Sequence, residues 1–427
     1  MASAKPLVLV VGATGFTGSS IVKGLLDSGN FVRPVPFRLG APGEDVELKC
    51  IHQRVAALVR PTSISKPVVQ GLRASGVEIR TGDVHDSAPQ LKEALAGVEI
   101  LISAVDGKLV AHQVNLFRAA AEVDTIKRVI PCDFGPPVKR GVREIDSQKF
   151  DIRDLIKELG LPYTFIDVGW WMQLSLPLPA RSKVPAVLKQ WTYELHGTGT
   201  QKILLSDHRD IGVYVARILA DTRTLNKLVI VWEDEQTEEK VHEIGEHFSG
   251  EADNLKAKGL ITVEQSGRLP NLHGRYDVTL GRSQLGVHAR TSVTLCDCER
   301  FGARSVSAEF SGISGIVHIT RELNLTGSRP GPKRTYASAE EIAKRIAEGK
   351  ADLVKDPSNA PAALKVLWHD YMYSLHIAGE NTLENAKHLG YLDARELYPD
   401  VPRRSLEEFA KEYYSLEEPG LEYLRGD

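Results

Sequence analysis

The sequence predicts an α/β protein with a doubly wound parallel sheet and a smaller C-terminal α/β domain. In the first third of the chain, short β-branched runs alternate with amphipathic helical stretches, the pattern of strand–helix–strand units. The first strand leads directly into a glycine-rich loop that opens a helix. Because 427 residues are too many for one ordinary core, we expect two domains, at 1–168 and 169–427.

The predicted elements follow this alternation. Candidate strands of the first domain are residues 7–11, 55–59, 77–80, 100–104, 129–132 and 163–168. Candidate helices between them are 17–28, 89–96, 109–123 and 147–159. Helical patterns return near the C-terminus at 339–348, 362–377 and 405–414.

Two stretches interrupt the alternation. Residues 32–53 lie where a turn of roughly 2 to 6 residues would suffice. Pro34 and Pro36 cannot donate to a sheet ladder, so this run cannot be a central strand. The second stretch, about 259–333, is rich in Gly, Arg, Ser and Thr. We interpret both as insertions, either translated introns or lineage-specific segments; for the second, a β-rich excursion of the C-terminal domain is the alternative.

The composition favours small-molecule chemistry. Lys and Arg number 53 against 56 Asp and Glu, so no broad field attracts nucleic acid or anionic lipid. The first strand begins too near the initiator for a signal peptide, and no apolar run reaches the roughly 18 residues of a membrane helix. The four cysteines are too scattered for a disulfide framework. We expect a cytoplasmic protein without nucleic-acid or membrane partners, and a homodimer stays open.

The loop GATGFTG at residues 12–18 predicts a dinucleotide site. Gly12 permits a tight turn, Gly15 lets the backbone approach a pyrophosphate, and Gly18 lets helix and strand pack closely. Arg60 ends the second strand, where a guanidinium suits a 2′-phosphate, so NADP(H) is preferred over NAD(H). Lys66 is a second candidate cation. For both basic residues, a solvated loop position is the alternative.

Lys149, in the first turn of the predicted helix 147–159, is the candidate proton-transfer residue. None of the tyrosines is followed by a lysine four residues later, so the Tyr-x-x-x-Lys pair of short-chain dehydrogenases is missing. Ile152 and Ile156 mark the buried face, and Arg153 is expected on the solvent side. Burial and the positive helix end are expected to lower the Lys149 pKa. The alternative is a stem along the core with its amine in water.

Taken in order, the motifs resemble the isoflavone reductase and phenylcoumaran benzylic ether reductase family, within the NmrA-like atypical short-chain reductases. They are GATGFTG, ALVRPTS, VEIRTGDVHD, ILISAV, RVIPCDFG and QKFDIRDLIKELGLPYTFIDVG, followed by residues 208–227 and LGYLDARELYPDVPRRSLEEFAKEY. The resemblance implies a Rossmann domain, a smaller C-terminal domain with substrate in the cleft between them, and NADPH as hydride donor.

The resemblance also implies roles for individual residues. Lys149 becomes the catalytic lysine, which exchanges a proton with a phenolic or carbonyl oxygen, and Arg60 becomes the 2′-phosphate ligand. Two adjacent tryptophans after the sixth strand favour an aromatic or flat apolar substrate, with core packing between the domains as the alternative. The pyrophosphate contacts would be Gly12, Thr14, Gly15, Phe16, Thr17 and Gly18, and the substrate contacts Gly169, Trp170, Trp171 and Met172.

The sequence therefore predicts an NADPH-dependent reductase of an aromatic or conjugated small molecule. The alternative is an NmrA-like regulator that senses NADP(H) without turnover. A third hypothesis is a non-functional form in which residues 32–53 disrupt the coenzyme site. His242 and His247 lie on different sides of a helix and form no HExxH motif, so we expect no metal site.

Overall fold

The computed structural model describes residues 5–29, 32–39, 46–249 and 334–420, together with four short strands between 262 and 308. The N-terminal strands are β1 (Val8–Val11), β2 (Val32–Leu39), β3 (Val46–Gln53), β4 (Val55–Val59), β5 (Glu78–Thr81), β6 (Ile100–Ser103), β7 (Arg128–Ile130) and β8 (Thr164–Val168). The helices among them are α1 (Phe16–Asp27), α2 (Pro67–Ala74), α3 (Ala88–Ala94), α4 (Gln113–Ala121) and α5 (Ser147–Glu158). The predicted elements are found within a few residues of these bounds, whereas α2 was not predicted.

The central sheet has the strand order β5-β4-β1-β6-β7, and every neighbouring pair is parallel. Strands β1, β4 and β6 are buried along their whole length, as expected for strands covered by helices on both faces. Val11 lies beside Leu58 and Ser103 in register. The loops that follow these strands therefore meet at one edge of the sheet, where Gly12 and Arg60 are found.

The C-terminal part begins directly after β8. Its strands are β9 (Trp170–Trp171), β10 (Glu194–His196), β11 (Lys202–Ser206), β12 (Lys227–Val231), β13 (Asp234–Thr237), β14 (Thr262–Val263), β15 (Arg275–Thr279), β16 (Arg290–Cys296), β17 (Ser305–Ala308), β18 (Thr335–Ala337) and β19 (Tyr391–Asp393). Its helices are α6 (Met172–Ser175), α7 (Ala186–Trp191), α8 (Ile211–Ala220), α9 (Glu238–Ser249), α10 (Ala339–Lys355), α11 (Ala360–Met372), α12 (Leu383–His388), α13 (Ala394–Leu397) and α14 (Leu406–Ser415). A π-helical turn, Tyr373–Ile377, follows α11.

Late elements return to the N-terminal sheet. Strands β8, β12 and β19 form a parallel sheet in the order β19-β12-β8, and a parallel bridge between Val129 and Tyr163 joins it to β7. Strand β11 pairs in parallel with β9 and antiparallel with β13, while β10 pairs with β18. The sheets β13-β11-β9 and β10-β18 and the helices packed around the separate core of Trp170, Met172 and Phe409 form the C-terminal lobe, whereas β12, β19 and α8 pack with the N-terminal sheet.

The interruption at 32–53 lies outside the central sheet. Strands β2 and β3 pair antiparallel with each other as a two-stranded sheet, and β4 takes the position beside β1. The prediction that the proline-containing run is not a central strand is thus confirmed. Most of the second stretch, 259–333, lies outside the described residues; β14 to β17 within it form an antiparallel sheet in sequential order. No helix in the described ranges is both long and apolar enough to cross a membrane.

Candidate coenzyme and catalytic site

The loop between β1 and α1 needs glycine at two positions for the fold itself. Gly12 has φ +79°, and a Cβ there would lie 2.3 Å from the carbonyl oxygen of Ala104. A Cβ on Gly18 would lie 2.0 Å from the carbonyl oxygen of Gly12. Gly15 differs, because its nearest neighbour would be 3.4 Å from an added Cβ, which is an ordinary contact. Gly15 therefore leaves the outer side of the loop free of a side chain.

The outer side of this loop fits a diphosphate. Thr14, Gly15 and Phe16 are exposed, while Thr17 is buried. Helix α1 begins at Phe16, so the N–H groups of its first turn point beyond the helix end, where the helix dipole favours negative charge. The first turn of α1 carries no acidic side chain that would compensate this end. The loop and the helix start together provide an anion-binding surface.

Helix α1 is also held in place by α8, a helix from later in the chain that packs in the same core. A Cβ on Gly24 would lie 2.1 Å from the carbonyl oxygen of Gly212, so α1 and α8 cross in direct backbone contact. The hydroxyl of Ser20 donates to the carbonyl oxygen of Arg209 at 2.7 Å and accepts from the N–H of Gly212 at 3.0 Å. The position of α1 is therefore fixed by contacts on both sides.

Arg60 lies at the carboxyl end of β4, on the strand next to β1. Its side chain is exposed, and the short 3₁₀ helix Pro61–Ser63 follows it. Lys66 is exposed at the start of α2. Neither cation forms an ion pair with a carboxylate among the residues the structure describes. Arg60 is therefore available to an anion at the sheet edge that carries the phosphate loop, and the roles of Arg60 and Lys66 as coenzyme ligands stay predictions.

Lys149 lies in the first turn of α5 with its amine next to the segment that follows β7. Its Nζ donates to the carbonyl oxygen of Asp133 at 2.9 Å and is 3.3 Å from Oδ1 of Asp146. The side chain is 19% exposed. A Cβ on Gly135 would lie 3.1 Å from this nitrogen, so the glycine leaves room for the amine. The ammonium has three N–H donors, of which the carbonyl oxygen of Asp133 uses one, while Asp146 is its ion-pair partner.

The expected lowering of the Lys149 pKa is wrong. Burial does lower the pKa, but the carboxylate of Asp146, with contributions from Tyr371 and Asp133, outweighs it and raises the pKa above its usual value. Asp146 is itself buried and accepts a hydrogen bond from Nε of Arg143 at 2.5 Å. Lys149 is therefore an ammonium at neutral pH, a form that can donate a proton but cannot accept one.

The expected solvent position of Arg153 is also wrong. Its guanidinium is buried and donates to Oδ2 of Asp133 at 2.9 Å and to Oδ1 of Asp167 at 2.5 Å. It also donates to the hydroxyl of Tyr391 at 3.0 Å, and that hydroxyl donates to Asp167. The network ties α5 to β8, to β19 and to the segment after β7. It fixes the backbone of Asp133, whose carbonyl oxygen accepts from Lys149.

Cys132 precedes this network and is unsuited to nucleophilic chemistry. Its thiol donates to the carbonyl oxygen of Val105 at 3.1 Å, and its N–H donates to Oε1 of Gln113 at 2.9 Å. Burial raises the pKa of the thiol to about 12. The thiolate, which is the reactive form, is therefore scarce at neutral pH.

The segment after β8 separates into two environments. Gly169 is required by packing, since a Cβ there would lie 2.7 Å from the backbone of Leu204. Trp170 and Met172 are buried in the core of the C-terminal lobe, and Trp170 lines a cavity there. Trp171 is partly exposed, and its ring centroid is 5.8 Å from the ring centroid of His208. The His208 ring centroid is in turn 5.7 Å from that of Phe16 in the phosphate loop. Trp171 is thus the member of the predicted substrate set that lies towards the phosphate loop.

The cavity beside Trp170 contains side chains that the sequence analysis did not single out. It is lined by Trp170, Leu174, Ser175, Trp191, Thr192, Glu194, His196, Ile203, Glu238, Val241, His242, Trp368, Met372 and His376. Among them, His196, Glu238 and His376 are buried and bring their ligating atoms within 4.8 Å of one another. They come from three distant segments, so no spacing in the sequence could have indicated them.

The comparisons with known proteins agree on one family. The NmrA-like family model matches residues 44–261. Over 408 residues the chain is 26% identical to asnovolin J 5′,6′-dehydrogenase of Aspergillus novofumigatus, covering 95% of this chain and 94% of that protein. Over 236 residues it is 32% identical to an isoflavone reductase-like protein of Olea europaea, covering 53% of this chain and 68% of that protein.

A solved structure has the same fold. The binary complex of leucoanthocyanidin reductase and NADPH from Vitis vinifera matches with a TM-score of 0.58, covering 96% of this chain and 99% of that chain. The sequence identity in that comparison is 19%, so the match concerns the fold alone. It confirms the α/β fold class that the alternation of strands and helices predicts.

Proposed function

The chain belongs to the NmrA-like family, and we propose that it is an NADPH-dependent reductase of an aromatic or conjugated small molecule, with Lys149 as proton donor. The family predicted from the sequence motifs is confirmed. Relatives are named as reductases and as a dehydrogenase, and one structural neighbour is a complex with NADPH. These names support the broader assignment, an NADP(H)-dependent oxidoreductase. The direction of hydride transfer, the substrate class and the role of Lys149 are the proposal.

The observation that carries the proposal is the position of the Lys149 ammonium. The acceptor that holds it, the carbonyl oxygen of Asp133, follows β7 at the same sheet edge as Gly12 and Arg60. Strand β7 is two strands from β1, which corresponds to about 10 Å across the sheet. The anion-binding loop and the proton donor thus share one edge, as a dinucleotide site with an adjacent reaction centre requires.

The residues of this chain account for binding and for proton transfer. NADPH, when bound, supplies the hydride. The first turn of α1 and Arg60 would hold its phosphates, and Gly15 would let the backbone approach the diphosphate. An N–H of Lys149 that the carbonyl oxygen of Asp133 does not use would donate to the substrate oxygen on which negative charge develops. The carboxylate of Asp146 raises the pKa of Lys149, so the amine already carries the proton that it would donate in this direction.

The aromatic substrate class is supported by the side chains between the two lobes. Trp171 is partly exposed and is tilted against His208, whose ring meets Phe16 edge-on, so Trp171 and Phe16 give an aromatic wall next to the phosphate loop. A planar conjugated molecule can bury a face against such a wall with its oxygen towards a hydrogen-bond donor.

The test is NADPH oxidation against a panel of aromatic ethers, enones and quinones, with NADP⁺ reduction measured on the corresponding alcohols. We expect turnover on at least one member. Lys149→Met should lower kcat by about 10² to 10⁴-fold while NADPH still binds. Lys157→Met, an exposed change on the same helix, is the matched control and should keep parent kcat. NADPH binding with no turnover on any panel member would instead favour the NADP(H)-sensing regulator.

A further inference from the structure

Three metal-ligating side chains converge in the C-terminal lobe. His196 ends β10, Glu238 begins α9, and His376 lies in the π-helical turn after α11. Oε1 of Glu238 is 2.7 Å from Nδ1 of His196 and 3.4 Å from Nε2 of His376. Relative exposures of 1%, 6% and 8% for His196, Glu238 and His376 keep all three out of bulk solvent.

The charge of this cluster is not balanced by the protein groups around it. Within the described ranges, no lysine or arginine lies within ion-pair distance of Glu238, whose partners are the two imidazoles. The adjacent Glu194 is paired with Arg345 at 2.6 Å, which leaves that guanidinium committed elsewhere. A buried carboxylate without a cation is costly, so the site favours a bound positive charge.

We propose that His196, Glu238 and His376 bind one divalent transition-metal ion of the zinc type. Two imidazole nitrogens and one carboxylate oxygen are a ligand set that zinc uses when it keeps a further position open. Magnesium and calcium prefer ligand sets made of oxygen atoms, which this cluster does not offer. The expectation of no metal rested on His242 and His247, and neither is among these ligands.

The distances need only a small adjustment. With metal–ligand bonds of about 2.0 to 2.1 Å, two ligands of a tetrahedral zinc ion lie about 3.3 Å apart. The 3.4 Å between Glu238 and His376 already meets this value. The 2.7 Å hydrogen bond from His196 to Glu238 has to open by about half an ångström, as the metal replaces the shared proton. The backbone N–H of His196 donates to Oε2 of Glu238 at 2.6 Å and holds the carboxylate in place.

The open coordination position has a cavity beside it. The cavity lined by the ligands has a volume of about 30 Å³, room for a ligand the size of a water molecule. Nε1 of Trp368 and Nδ1 of His242 line it, are buried, and make no hydrogen bond to any residue that the structure describes. The side chains of Trp368 and His242 can therefore form hydrogen bonds with a water or an anionic group held in the cavity beside the metal.

The experiment is a metal titration of the full chain after treatment with a chelator. We expect one equivalent of Co²⁺ to bind with visible ligand-field absorption, Zn²⁺ to displace it, and excess Mg²⁺ or Ca²⁺ to leave it bound. Removing a ligand should weaken binding by at least about 100-fold in Glu238→Gln and in His376→Gln. His247→Gln, which removes an exposed histidine from α9, is the control for adventitious surface binding and should bind like the parent.

Two results would overturn the proposal. One is the absence of stoichiometric Co²⁺ or Zn²⁺ binding by the unmutated chain, a measurement that no folding defect in a variant can affect. The other is unchanged binding in folded Glu238→Gln and His376→Gln, with folding established by circular dichroism. NADPH affinity measured in parallel distinguishes this site from the coenzyme site, because the metal proposal does not depend on coenzyme binding.

Discussion

Replacing Gly18 by alanine, in comparison with Gly15→Ala, distinguishes glycine that packing in the phosphate loop requires from glycine that coenzyme binding requires. The added Cβ would lie 2.0 Å from the carbonyl oxygen of Gly12, and real Cβ contacts do not fall below 3.0 Å. The loop and α1 therefore have to separate by about 1 Å, the difference between those two distances. Backbone on both sides, including the contact of Gly24 with Gly212, opposes that movement.

The expected cost follows from this overlap. Overpacking a tightly packed site costs about 1 to 3 kcal/mol, and alanine regains up to about 1 kcal/mol of helix propensity over glycine. We therefore expect the free energy of unfolding to fall by about 1 to 2 kcal/mol in Gly18→Ala. Because the displaced loop carries the anion-binding N–H groups, NADPH affinity should fall by at least about 10-fold as well.

Gly15→Ala is the informative comparison, because its Cβ would lie 3.4 Å from the nearest atom. We expect its unfolding free energy to stay within about 0.5 kcal/mol of the parent, while NADPH affinity falls because the new methyl occupies the approach of the diphosphate. Urea unfolding and NADPH fluorescence titration measure the two quantities. Parent-like NADPH affinity in Gly15→Ala, or parent-like stability in Gly18→Ala, would refute this account of the loop.

Two further changes test the surroundings of Lys149. Asp146→Asn removes the carboxylate that raises the Lys149 pKa, so Lys149 should lose its proton at a lower pH than in the parent. The alkaline limb of the kcat/KM profile should therefore move to lower pH. A charge pair at 3.3 Å is worth up to about 5 kcal/mol at an effective dielectric constant of about 20, enough to move that limb by more than one pH unit. Arg153→Met leaves Asp133 and Asp167 buried without their cation, and should lower the unfolding free energy by about 3 to 5 kcal/mol in urea titrations.

Surface changes on the same helix serve as controls for these two variants. Asp154→Asn removes an exposed carboxylate and should leave the pH profile unchanged. Lys157→Met removes an exposed cation and should change the unfolding free energy by less than about 0.5 kcal/mol. A parent-like pH profile in Asp146→Asn would show that the protonation state of Lys149 does not determine the pH dependence of kcat/KM. Parent-like stability in Arg153→Met would show that the buried network contributes no net stability.

The sheet could be predicted from the sequence because its signals are local. Continuous β-branched runs such as Val55–Val59 mark strands buried on both faces, and the two prolines in 32–39 are incompatible with a central strand. Helix α2 was missed because it is only 8 residues long, a length at which helix and strand patterns are hard to distinguish, and Val69 is its one buried residue.

The environment of the candidate site could not be predicted in the same way, because it depends on partners far apart in the sequence. Arg153 looks like a solvent-facing helix residue until Asp133 and Asp167 are brought to it by the fold. The pKa of Lys149 was expected to fall because burial and the helix end were considered without the buried carboxylate of Asp146, three residues earlier. Helical spacing placed that carboxylate nearby, but only the structure shows that it is buried and aimed at the amine.

The central claim is that the β1–α1 loop binds a dinucleotide diphosphate and that Arg60 selects the form with a 2′-phosphate. Its most direct test is the ratio of NADPH to NADH affinity, measured by titration of the parent and of Arg60→Ala. The account predicts tighter NADPH binding in the parent and a loss of that preference by at least about 10-fold in the variant, with NADH affinity unchanged. Equal affinities in the parent, or an unchanged preference in Arg60→Ala, would contradict it.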